Sequence, residues 1–126
     1  MINTVNITIW GRLFSLPVEY DCYKGESVTE AQIEALNIFL SHEEWIKNAK
    51  GNIEDFCKAQ VIEDVDNCKK DDIFSYVKPK CIFVKRESET PQVAIMCDYR
   101  YDIEHGLAIV FFADGTIIVN SQDIIL

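Results

Sequence analysis

The chain has 126 residues and carries 21 acidic against 12 basic side chains, a net charge of −9. That length suits one domain that buries its own core, and a composition 48% hydrophobic and 26% charged is ordinary for a globular protein. The acidic balance argues against general nucleic-acid binding, because a negative surface repels phosphate backbones, and no apolar run approaches the roughly 20 residues that a bilayer demands.

The first element is an alternating hairpin. Val5, Ile7 and Ile9 alternate with Asn6 and Thr8, and Phe14, Leu16, Val18, Tyr20 and Cys22 alternate with Ser15, Pro17, Glu19 and Asp21. A two-residue Gly11-Arg12 loop with glycine first, as a type II′ turn prefers, predicts Ile9 opposite Phe14, Ile7 on Leu16 and Val5 on Val18. Every apolar side chain then lands on one face. Pro17 has no N–H to give to a ladder, so its strand is expected at an edge or with that position facing out. No basic stretch precedes the apolar residues at the start of the chain, which predicts no secretory signal and a cytoplasmic address.

After a turn at Lys24-Gly25-Glu26, both Ser27…Glu30 and Thr29…Gln32 fit the capping box that opens a helix. Ile33, Leu36, Phe39 and Leu40 make its apolar stripe. A second onset at Ser41, with Glu44 three residues on, starts a helix whose stripe is Trp45, Ile46, Ala49, Ile53, Phe56 and Cys57. Gly51 is a place where it could break or kink. Residues 63–72 are polar and mixed in sign and read as a surface connection. Residues 73–77 read as one helical turn ended before Pro79.

Four strands follow as a meander, at about 80–86, 92–99, 107–113 and 116–120, with a polar loop at 87–91 and a hairpin signal at Asp114-Gly115. In the last three, apolar side chains point both ways, which predicts strands covered on both faces. The whole reads as an α+β fold, a mostly antiparallel sheet of about six strands with two main helices between the N-terminal hairpin and the C-terminal meander.

The five cysteines, Cys22, Cys57, Cys68, Cys81 and Cys97, include no C-x-x-C pair and are odd in number, a poor disulfide framework and a poor zinc site. They read as small buried hydrophobes. A symmetric hairpin about Glu89 places Cys81 opposite Cys97.

Between two apolar runs lies Asp98-Tyr99-Arg100-Tyr101-Asp102-Ile103-Glu104-His105-Gly106, the richest concentration of polar chemistry in the chain. Tyr99, Tyr101, Asp102, Glu104 and His105 are the candidate contact residues for a partner or ligand. A carboxylate–imidazole cluster there could also bind a divalent metal or move protons. Against that, Glu104 and His105 are adjacent and point apart in an extended segment, and no second histidine stands at metal spacing. The structural reading gives Asp102 the cap of the turn, Gly106 a positive φ, and Glu104 or His105 a bond to loop backbone. Gly11 and Gly115 are the other expected turn glycines. Trp10, Tyr20 and Tyr23 could extend an aromatic surface, or sit partly buried in the sheet. No Gly-x-Ser-x-Gly context, no phosphate-cradling loop and no basic face occurs, so no catalytic residue, metal or cofactor is assigned.

The string Asp102-Ile103-Glu104-His105-Gly106-Leu107-Ala108-Ile109-Val110-Phe111, followed by Asp114-Gly115, resembles a motif in a group of uncharacterised bacterial proteins, small domains of unknown function with an aromatic-Asp-x-Glu-His-Gly segment before a strand. The front end is similar too, at Ile9-Trp10-Gly11-Arg12 and at Glu26-Ser27-Val28-Thr29-Glu30-Ala31-Gln32. Where the group often has Trp before the Asp, this chain has Tyr101. The resemblance implies a compact bacterial α+β domain with no established activity. Some such families resemble immunity proteins that sit beside secreted toxins, which would suit an acidic chain with a basic protein partner. The reading is therefore a non-enzymatic interaction domain. The alternative is a small enzyme or metal-binding domain centred on Asp102, Glu104 and His105.

Overall fold

The computed structural model describes residues 4–21, 25–60, 73–86 and 92–125. Strands β1 (Thr4–Ile9) and β2 (Arg12–Tyr20) form the N-terminal hairpin, with Val5, Ile7, Ile9, Leu16 and Val18 buried on one face. The turn is Trp10-Gly11, one step earlier than predicted. Trp10 has φ 47° and Gly11 φ 84°, the two positive values of a type I′ turn. Ile9 therefore faces Arg12, Ile7 faces Phe14 and Val5 faces Leu16. The register differs from the prediction by two residues, and because side chains alternate with period two, each still occupies its expected face. Trp10 tolerates its left-handed backbone because the indole is fixed: Nε1 donates to Ile46 O at 2.9 Å, and the ring sits 5.6 Å from Phe74.

Helix α1 (Glu30–Ser41) opens on the second of the two predicted capping boxes. The Gln32 N–H donates to Thr29 Oγ1 at 3.1 Å while Gln32 Oε1 accepts from the Thr29 N–H at 2.9 Å. Its inward face is Gln32, Ala35, Leu36 and Phe39, and Ile33 is left 40% exposed. The predicted stripe was rotated because Gln32, a polar residue, is fully buried. Its Nε2 donates to Asp21 O at 2.8 Å and to Val84 O at 3.2 Å, joining the ends of β2 and the third strand. Helix α2 (Glu43–Gln60) runs through Gly51 without a break and buries Trp45, Ile46, Ala49, Ile53 and Cys57. Cys57 is disulfide-bonded, against the expectation that the cysteines serve only as packing; the other half of that bond, like Cys22, Tyr23 and Cys68, lies outside the described residues. The predicted connection at 63–72 and loop at 87–91 also lie outside them. No helix among the described residues is long and apolar enough to cross a membrane.

A 3₁₀ turn at Ile73–Ser75 leads into β3 (Val77–Val84), followed by β4 (Val93–Tyr99), β5 (Leu107–Phe111) and β6 (Ile117–Asn120). The sheet order is β1-β2-β3-β4-β5-β6, antiparallel except where β2 and β3 run parallel. The fold is α+β, a six-stranded, mostly antiparallel sheet with both helices between the hairpin and the C-terminal strands. Pro17 and Pro79, two of the chain's three prolines, sit where the ladder changes. Residues up to Pro17 pair with β1 and residues from Val18 pair with β3, while Pro79 borders a bulge that shifts the β3/β4 register. A residue with no N–H fits such breaks, so β3 starts earlier than expected and passes through Pro79. The bulge also separates the two thiols: Cys97 faces Pro79 on the helix side of the sheet, and Cys81 faces Met96 on the other side. Both are free.

β4 and β5 are interior strands, apolar on both faces. Val93, Ile95, Cys97, Tyr99, Leu107, Ile109 and Phe111 meet the helices, and Ala94, Met96, Ala108 and Val110 pack with Ile125 on the reverse. β6 departs from expectation. It is an edge strand, no residue of it fully buried, and Ile118 is 37% exposed.

Candidate functional site

The loop from Tyr99 to Gly106 joins the two interior strands, so its ends are among the most firmly held points of the fold. Tyr99 closes β4 and is 1% exposed, its ring 6.1 Å from Phe56 and edge-on to Tyr101 at 5.6 Å. Tyr101 is half-buried and also meets Tyr76 at 5.9 Å. Among the described residues the buried Tyr99 hydroxyl has no hydrogen-bond partner, and burial pushes its pKa up, with the neighbouring Tyr101 and Tyr76 adding to the effect. It stays a neutral phenol. Of the predicted aromatic contacts, Tyr99 is therefore core and Tyr101 a buttress.

Beyond Tyr101 the backbone turns back. The Arg100 N–H donates to Tyr76 O at 2.9 Å, the Asp102 N–H to Tyr99 O at 3.2 Å, and the Gly106 N–H to Asp102 O at 2.8 Å. Asp102 caps the turn as predicted: Oδ1 accepts from the His105 N–H at 3.2 Å and lies 3.0 Å from His105 Nδ1. That side-chain bond holds the Asp102 carboxyl below the usual carboxylate range and raises the His105 imidazole above its ordinary value, with Asp123 and Glu104 adding smaller Coulombic contributions on the histidine. Both side chains are open to water, so the pair stabilises little by itself.

The second fastener comes from a residue whose sequence context gives no signal. Gln122, in the 3₁₀ turn Gln122–Ile124 after β6, donates its main-chain N–H to His105 O at 3.2 Å and its Nε2 to Cys97 O at 3.0 Å. Gly106 takes φ 66°, and a Cβ there would lie 2.6 Å from Gln122 Nε2 and 2.9 Å from Cys97 O. Glycine is required both by the backbone and by the space. Gly11 and Gly115 have the expected positive φ as well.

The loop brings Asp102 and His105 together and leaves Glu104 exposed in solvent. Among the described residues no group of three or more His, Cys, Asp or Glu side chains could hold a metal ion. What the sequence reading passed over is Ile103, between two acidic neighbours at the tip of the turn and 87% exposed. An isolated apolar residue in a polar turn, outside any period-two or helical pattern, was the available signal. Ile103 borders a concavity of about 360 Å³ that is walled further by Ser75, Lys78, Asp98 and Arg100 and backed by Tyr76 and Tyr99.

A family model described as a domain of unknown function, DUF6985, matches residues 2–126, and the chain belongs to that family. No curated protein and no solved structure matches the chain.

Proposed function

We propose that this DUF6985 domain is a non-enzymatic protein-interaction domain whose β4–β5 loop is the contact surface. The observation that carries the reading is Ile103. Single surface hydrophobes are common and need no explanation, but this one stands on a turn fastened by Asp102 from within and Gln122 from outside. A side chain presented on a rigid loop loses little conformational freedom on docking, so more of its burial survives as affinity. Asp102 and Glu104 flank it, and the chain carries net charge −9, which favours a partner with a basic rim around an apolar dimple. A basic toxin held by an immunity-like domain is the narrower form of this reading.

Acid–base or metal chemistry at Asp102, Glu104 and His105 has less behind it, because only two of the three side chains meet and they do so in open solvent. The test compares partners captured from the native host by tagged wild type and by Ile103→Asp. The expected result is a basic protein retained at low ionic strength, weakened by salt and released at least about tenfold more readily by the variant, since burying an isoleucine contributes about 1.5–3 kcal/mol. Identical captured sets from both proteins would refute the reading.

A further inference from the structure

The concavity beside Ile103 has a charge pattern that the acidic chain does not lead one to expect. Several cations elsewhere in the fold already have partners. Arg86 bonds Glu26 at 2.6 Å, Lys80 lies 3.4 Å from Asp98, Lys85 donates to Ile125 O at 2.7 Å, and Arg12 stacks over Phe74 at 4.3 Å. Lys78 and Arg100 are different. Neither meets a carboxylate among the described residues, although the chain has 21 of them, and both are exposed and wall the same concavity. Asp98, directly across the ladder from Lys78, is drawn to Lys80 instead.

The roots of the two cations are fixed. Lys78 stands in the β3 ladder opposite Asp98, and the Arg100 main chain is tied to Tyr76 O. The Arg100 guanidinium lies 5.6 Å from the Tyr101 ring, a contact that leaves its N–H fork available. Ser75 adds a hydroxyl and Ile103 an apolar wall. A volume of about 360 Å³ falls within the range of small-ligand sites.

We propose that this concavity binds a carboxylate borne on a small apolar or aromatic body, with Arg100 and Lys78 as its charge partners and Ile103 covering the body. A planar carboxylate suits the guanidinium fork. Asp98 on the same wall disfavours a dianion such as a phosphate monoester by like-charge repulsion. The carboxylate can come from a free small acid or from the C-terminus of a polypeptide. The proposal deepens the loop reading, on which it rests for its setting, by naming the chemistry that accompanies Ile103.

The test is amide chemical-shift titration of the full chain with benzoate, with neutral benzamide as the isosteric control, and with an acetylated Gly-Leu-Phe peptide as free acid and as amide. Both acids are expected to move the amides of Lys78, Arg100 and Ile103, and both neutral forms to leave them in place. A peptide acid that binds more tightly than benzoate assigns the site to chain termini, and the reverse order assigns it to small acids. Lys78→Gln and Arg100→Gln, both at exposed positions, should each weaken binding about tenfold, with Arg100→Lys recovering part of the loss. Equal response to acid and neutral forms would overturn the proposal, as would acid-selective binding that survives both glutamine substitutions. Loss of partner capture on Ile103→Asp with no carboxylate response would sink this site and leave the contact loop standing. A carboxylate response without partner capture would sink the loop reading alone.

Discussion

Replacing Gly106 with alanine tests whether the candidate site is held as described. The left-handed backbone at φ 66° penalises any Cβ by about 1–2 kcal/mol. The new methyl would then press on Gln122 Nε2 at 2.6 Å and on Cys97 O at 2.9 Å, of which only the glutamine can swing away. Moving it forfeits the Gln122–Cys97 bond, about 1 kcal/mol, so the sum is about 2–3 kcal/mol. For a chain of this size that corresponds to a fall in Tm of roughly 10 °C. Gly11→Ala is the control, because Gly11 has φ 84° with nothing within 4 Å of an added Cβ; it should lose only the backbone share. Urea unfolding followed by tryptophan fluorescence gives both values. Gly106→Ala in a Gln122→Ala background should cost about 1 kcal/mol less than in the wild type, since the bond at stake is already absent. If Gly106→Ala matched Gly11→Ala within about 0.5 kcal/mol, and showed no coupling to Gln122, the loop would not be fastened from the C-terminal turn.

Two further outcomes follow from the same geometry. A His105 titration by NMR should give a midpoint above about 6.5, the ordinary imidazole value, and Asp102→Asn should bring it down. A raised imidazole pKa contributes stability that is full below the unfolded value and fades as pH rises through the folded one. The depressed Asp102 carboxyl contributes stability that fades as pH falls through its own folded value, so the pair acts only between those limits. An unchanged His105 midpoint in Asp102→Asn would contradict the bond. Tyr99→Phe removes a buried hydroxyl that has no partner among the described residues and should leave stability unchanged or raise it by about 1 kcal/mol. A comparable loss in urea unfolding would reveal a partner for that hydroxyl.

The architecture was legible wherever alternation or helical spacing carried it. Val5, Ile7 and Ile9 on one face, the two-faced β4 and β5, the Thr29–Gln32 box and the Asp102 cap all follow from local pattern. What was missed depends on contacts between distant segments. The hairpin slid by two residues because Trp10 can occupy a left-handed turn position once its indole reaches Ile46 on α2. The α1 face rotated because Gln32 satisfies two carbonyls, Asp21 O just past β2 and Val84 O at the end of β3. β6 is open because it ends the sheet, a matter of strand order that its own apolar residues do not encode. Within the site, Asp102, His105 and Gly106 were readable as a turn, whereas Gln122 and the walls of the concavity come from elsewhere in the chain.

The change of partner along β2 at Pro17 has a bearing on how the protein assembles. Strands β3 to β6 pair each with its successor, so the platform of the loop can zip up from near neighbours in the chain, whereas the parallel register of Val18 with Ile82 must wait for closure across the helical segment. That ordering predicts that the hairpin docks onto β3 last. A native-state exchange experiment would then find the β1/β2 amides opening at lower free energy than those of β4 and β5, with the contact loop keeping its shape while the front of the molecule breathes.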